Sequence, residues 1–251
     1  MSIVIALKTG DWAVLGADHK GIVTLVDGDT FSTKMDKIVG IGNNTIFGFT
    51  GNTKNINDLI KLLRKNSIAL DKDLLGSLRG LRREIRKVDI NIQSVFCGVS
   101  GGNIDLVELL ADKSDRKLEI ESLHMDNDVV GETIMGLNTM NSIINPYLEY
   151  AKKVGKKITV EDAEFLVYAA IASISDSGIQ TVGGGVTIWE LKKESGKVHM
   201  TKVPDSKVYD FFDSGYRLYK KKSILSMEES LQMLRGFSRF NNSERTKSRK
   251  D

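Results

Sequence analysis

The chain has 251 residues but a single cysteine, Cys97, so an internal disulfide is excluded and no metal site can rest on cysteine pairs. Its three histidines, His19, His124 and His199, are scattered without ligand spacing, and neither a metal nor a cofactor is expected. Long apolar runs are missing as well. The run after Met1 is broken by Lys8 and Asp11, which argues against a signal peptide, and nothing approaches membrane-spanning length. A cytoplasmic protein with no membrane association is the expectation. An excess of one charge is also lacking: 36 Lys plus Arg against 33 Asp plus Glu leaves +3, too little to argue for a nucleic-acid partner.

What is present reads as a globular chain. The apolar share is 41%, or about 48% when glycine is counted and tyrosine is not, which is inside the range of folded domains. The small net charge hides an uneven distribution. From Arg217 onward there are ten Lys/Arg and four Asp/Glu, or +6, so residues 1 to 216 carry 26 against 29, or −3. A composition change near Pro204 divides residues 2–204, a single domain, from an extension over 205–251 with a short helix capped by Ser226 and a polar, disordered basic end.

Ser2 to Leu7 is a β-branched apolar run, Lys8-Thr9-Gly10-Asp11 carries turn residues, and Trp12 to Ala17 is a second apolar run. In an antiparallel hairpin, facing residue numbers sum to a constant, here 19 to 21, which places Asp18 beside the start of the chain. A second hairpin pairs Lys37–Ile41 with Thr45–Gly51. A turn on Asn43-Asn44 gives a sum near 87 and sets Lys37 opposite Thr50. Both hairpins are apolar on both faces, as in sheets covered on two sides. Asn52 and Thr53 can cap a helix carrying Ile56, Leu59, Ile60 and Leu63, and a second helix is expected over Leu74–Arg86. Strands follow over 90–99, 104–110 and 117–124, then helices over 139–153 and, capped by Thr159, 160–175. The last strands are 186–191 and 197–203. This order suggests an α+β fold, a four-layer αββα sandwich of two antiparallel sheets flanked by helices.

Ser2 is the kind of small residue that permits removal of Met1, which would place a free α-amine one residue from a hydroxyl nucleophile. An α-amine titrates near pH 8, and a nearby cation lowers that value, so the amine can accept the hydroxyl proton. A lysine supplies the cation and Asp18 can hold the lysine. Backbone N–H groups around Gly51, at a strand-to-helix junction, are natural oxyanion donors. Cys97, among Val95, Phe96 and Val99, reads as a buried, inert thiol. Gly183 to Gly185 read as a tight backbone approach, because neither a Lys-Ser/Thr pair nor a helix follows them. Lys220 to Lys222 read as solvated surface, or else as a dock for an acidic partner.

Residues 2 to 203 resemble the proteasome β-subunit family of N-terminal-nucleophile hydrolases, which includes HslV, Anbu and the archaeal connectases. The resemblance lies in Ser2-Ile3-Val4, Gly16-Ala17-Asp18, Lys37 to Ile41, Phe49-Thr50-Gly51-Asn52, the helix from Thr159 to Ser177, and Val182 to Val186. It implies a nucleophile at Ser2, normally threonine, with Asp18 as its aspartate and a lysine at Lys37 or Lys34. Counting back from Gly51 selects Lys37 and counting forward from Asp18 selects Lys34; hairpin pairing favours Lys37. Asp176 and Ser177 resemble the family's supporting pair, with Val182 where a serine is usual. The implied activity is endopeptidase cleavage of polypeptides through an acyl-enzyme ester, in a homo-oligomer that is a ring or helical stack, with a possible unfoldase partner. Two alternatives share the fold: a connectase-like transpeptidase, and a non-catalytic structural subunit.

Overall fold

The computed structural model describes residues 3–24, 30–52, 55–112, 117–123, 127–131, 143–176 and 182–211. The first hairpin pairs β1 (Ile3–Lys8) with β2 (Trp12–Asp18), Val4 facing Ala17 and Ile5 facing Gly16, so facing numbers sum to 21 around Gly10-Asp11. That is within the expected register, and every residue of β2 is buried. A short antiparallel ribbon follows, β3 (Lys20–Thr24) with β4 (Thr30–Lys34), which the sequence reading does not anticipate.

The second hairpin joins β5 (Ile38–Ile41) to β6 (Thr45–Asn52) with Ile38 facing Gly48, one residue off the expected register. The loop is Gly42-Asn43-Asn44, three residues instead of two, so Lys37 lies opposite Phe49, whose N–H donates to the Lys37 carbonyl at 3.0 Å. Helices α1 (Ile56–Lys65), α2 (Ser67–Lys72), α3 (Leu74–Gly80) and α4 (Arg82–Ile85) come next. The cap of α1 is Asn55, not Asn52 or Thr53, and the single expected helix over 74–86 is split after Gly80. Strands β7 (Asn91–Ser100), β8 (Asn103–Asp112), β9 (Lys117–Ser122) and β10 (Asn127–Gly131) follow. After them come α5 (Asn145–Lys153), α6 (Val160–Asp176), β11 (Val186–Glu194), β12 (Lys197–Lys202) and α7 (Asp205–Asp210). Thr159 caps α6 reciprocally: its Oγ1 accepts from Asp162 N–H at 3.2 Å while its own N–H donates to Asp162 at 3.1 Å. Such a box contributes about 1 kcal/mol.

The strands form two five-stranded antiparallel sheets, β10-β1-β2-β11-β12 and β5-β6-β7-β8-β9, beside the β3-β4 ribbon. The chain is thus a mixed α+β protein with antiparallel sheets and seven helices among the described residues. Strand alternation sorts the core into three clusters. Ile3, Ile5 and Leu7 pack with α6. Val4, Ala6 and Leu15 meet Ile46, Val95 and Cys97 of the other sheet. Phe47, Phe49 and Phe96 pack with Leu59 and Leu63 of α1. Burying each large apolar side chain contributes roughly 1.5 to 3 kcal/mol. Val208 and Phe211 are buried with α6, so the packed region runs beyond Pro204. The expected helix near Ser226 and the run Lys220 to Lys222 lie outside the described residues.

Candidate functional site

Asp18 is the last residue of β2, on a strand fixed between β1 and β11, and its carboxylate is completely buried. Four N–H groups converge on it. Oδ1 accepts from the Ile3 amide at 3.0 Å and from the Lys37 ammonium at 2.7 Å. Oδ2 accepts from the amides of Lys20 and Gly183, each at 3.1 Å. Lys37, 2% exposed, also donates to the Lys20 carbonyl at 2.6 Å. Burial pushes the Lys37 ammonium below the usual lysine range, and the charge and hydrogen bond of Asp18 oppose that push.

The sequence places Lys37 here because it immediately precedes β5, whose pairing with β6 anchors its backbone. Lys34 is elsewhere: it ends β4, paired with Lys20 in the ribbon, and is exposed. Of the two lysines, the structure brings Lys37 to Asp18. Gly51 lies near the end of β6 with φ of +107°, and a Cβ there would sit 2.6 Å from the Asn91 carbonyl oxygen. Asp176 is the exposed last residue of α6. Its charge, after burial, helps push the Tyr168 hydroxyl up to about 12. Ser2 and Ser177 lie outside the described residues, and Val182 is buried among apolar neighbours.

Three contributors carry no side-chain signal in the sequence or were given no role by it. The Gly183 amide reaches Asp18 because Gly183, Gly184 and Gly185 all take positive φ, at 143°, 75° and 102°, and fold against His19 and Lys20. The glycine run is the available signal: it predicts a close backbone approach without naming Asp18 as its target. The Lys20 carbonyl is pure backbone. His19 donates its N–H to the Gly183 and Gly185 carbonyls, at 3.0 and 3.1 Å, and its Nε2 meets the Thr187 hydroxyl. Burial, then the charge of Lys34, pushes the His19 imidazole below its usual value, with Asp36 opposing. Through its backbone, His19 braces the end of β2 against the glycine loop.

Chemically, the arrangement is a buried ammonium held by a buried carboxylate that also accepts from the amide of Ile3, the residue after position 2. Among the described residues no cluster of three or more His, Cys, Asp or Glu could hold a metal, and no helix is long and apolar enough to cross a membrane. No family model matches the chain, and no curated protein is similar to it in sequence.

Proposed function

We propose that the chain is an N-terminal-nucleophile hydrolase acting on polypeptides, built as a four-layer αββα sandwich of the proteasome β-subunit type. The observation that carries this reading is the shared Oδ1 of Asp18: it binds both the Ile3 amide and the Lys37 ammonium, which ties the lysine to the residue adjoining Ser2. The three apolar clusters, one of them drawing residues from both large sheets, support the sandwich.

Removal of Met1 exposes the α-amine of Ser2. This amine takes the proton of the Ser2 hydroxyl as Oγ attacks the substrate carbonyl; the C–N bond then breaks, and the leaving amine takes that proton away. An ester remains, which water resolves. An ammonium has three N–H donors; among the described residues two of those on Lys37 go to Asp18 and Lys20, and the proposed mechanism assigns the third to the Ser2 hydroxyl. A positive field there favours the neutral α-amine and the developing alkoxide. The Gly51 amide serves the oxyanion. Polypeptide substrates and a homo-oligomer belong to the same proposal.

The test is peptidase activity after mass spectrometry has confirmed loss of Met1. Ser2→Ala should lose at least about a thousandfold in kcat, while Ser2→Thr keeps activity. An unchanged rate in Ser2→Ala would reject the proposal. Adding excess amine peptide shows whether water or an amine resolves the ester.

A further inference from the structure

The segment from Arg79 to Lys87 holds five cations, Arg79, Arg82, Arg83, Arg86 and Lys87, against one anion, Glu84. All five are exposed, while Leu78 and Ile85 of the same segment are buried against the sheet. Arg79 lies on α3, Arg82 and Arg83 on α4 and Arg86 at the C-cap of α4, so the cations follow one another along two consecutive short helices. Arg82 is held by the Leu118 carbonyl at 2.8 Å. Arg79, Arg83, Arg86 and Lys87 form no ion pair among the described residues, in a part of the sequence (1 to 216) that is otherwise net negative.

The row ends at a cavity of about 530 Å³ between the end of α4 and the β8-β9 end of the sheet. Its floor is aliphatic, with Ile85 and Leu118 buried and Val88 half-buried. At its mouth stand Arg86, Lys87 and Lys117, the last paired with Glu119 at 3.0 Å. Asp89 and Asp112 also line it, and both take part in interactions within the chain.

We propose that this cavity and the arginine row leading to it form a docking site for an acidic polypeptide segment with an aliphatic anchor residue, supplied by a partner protein. The unpaired arginines suit carboxylates, which they grip bidentately, and the floor suits a leucine-sized side chain. Among the described residues lining the cavity there is no aromatic ring to act as a platform for base stacking, the usual sequence-tolerant hold on single-stranded nucleic acid. The chain's own tail, at +6, carries the wrong sign of charge for such a site. The site is independent of the peptidase reading.

Fluorescence anisotropy on the full chain tests it, with a fluorescein-labelled peptide of mixed aspartate and glutamate around one central leucine. Binding at low salt is expected, with affinity falling as salt rises. The double variant Arg83→Glu/Arg86→Glu should weaken it at least about tenfold with an unchanged melting curve, and glycine in place of the peptide's leucine should weaken it about threefold or more. Absence of binding, or equal binding by the double variant, overturns the proposal. So does tighter binding of a poly-uridine strand that the same variant abolishes. Self-association of the wild type in sedimentation, lost in the variant, would overturn it in favour of a second copy.

Discussion

Asp18 and Glu164 are both fully buried carboxylates, and each faces a lysine, yet their surroundings differ in kind. Asp18 receives four N–H groups, three of them from backbone: Ile3 of β1, Lys20 of β3 and Gly183 of the glycine loop. Glu164, on α6, faces the Lys207 ammonium but, among the described residues, receives no backbone N–H. It stands between Glu190 of β11 and Lys207 of α7, a lysine that is 37% exposed, with Lys192 paired to Glu190 at 3.0 Å. Burial therefore pushes the Glu164 carboxyl up to about 7, with Lys207 opposing. One carboxylate is amply supplied with donors; the other is not. A buried charge that the fold supplies with donors marks a place where the charge has work to do, while an under-supplied one is a source of pH dependence.

The contrast is open to direct attack. Asp18→Ala should cost most, about 3 to 5 kcal/mol in urea unfolding, because it strands the Lys37 ammonium without its counter-charge. A loss under about 1 kcal/mol would erase the distinction. Glu164→Gln should do the opposite. The folded-state value of Glu164 lies above its ordinary 4.5, so its contribution is full below that pH and is lost as pH rises through about 7. Glutamine, which can accept from Lys207 and donate to Glu190, should thus stabilise the domain by about 3 kcal/mol at pH 8 and by almost nothing at pH 4. Equal effects at the two pH values would refute the assignment. Lys207→Met should have the smallest consequence, under about 1 kcal/mol at pH 6, since the half-exposed lysine is partly screened by solvent and Glu164, pushed up to about 7, is already largely protonated there.

The first hairpin was legible from the sequence because turn residues between two apolar runs mark both strands and confine the register to facing sums of 19 to 21, of which the structure takes 21, and with it the place of Asp18 near the start of the chain. Lys37 was legible for a similar reason, although the second loop holds three residues and shifts its pairing by one. Thr159 declared itself as a cap through side-chain chemistry alone. The rest depends on contacts distant in sequence. Gly183 meets Asp18 across 165 residues through a backbone amide that no side chain advertises. The pairing of β10 with β1 links Val130 to Val4. Glu164 sits in a helix buried on nearly every side, where periodicity gives no warning that one inward position is ionisable. The β3-β4 ribbon has an exposed second strand, so it lacks the apolar pattern by which strands are recognised.

The central claim is that the Asp18-Lys37 pair serves a nucleophile at position 2. Its most direct test is to treat the protein with a peptide β-lactone, which acylates a reactive hydroxyl, and to map the adduct by mass spectrometry in the wild type and in Lys37→Met. The expected result is one adduct, on Ser2 of a chain that lacks Met1, with labelling lost in Lys37→Met while the fold persists. An unmodified N-terminal peptide in a chain shown to begin at Ser2 would contradict the account.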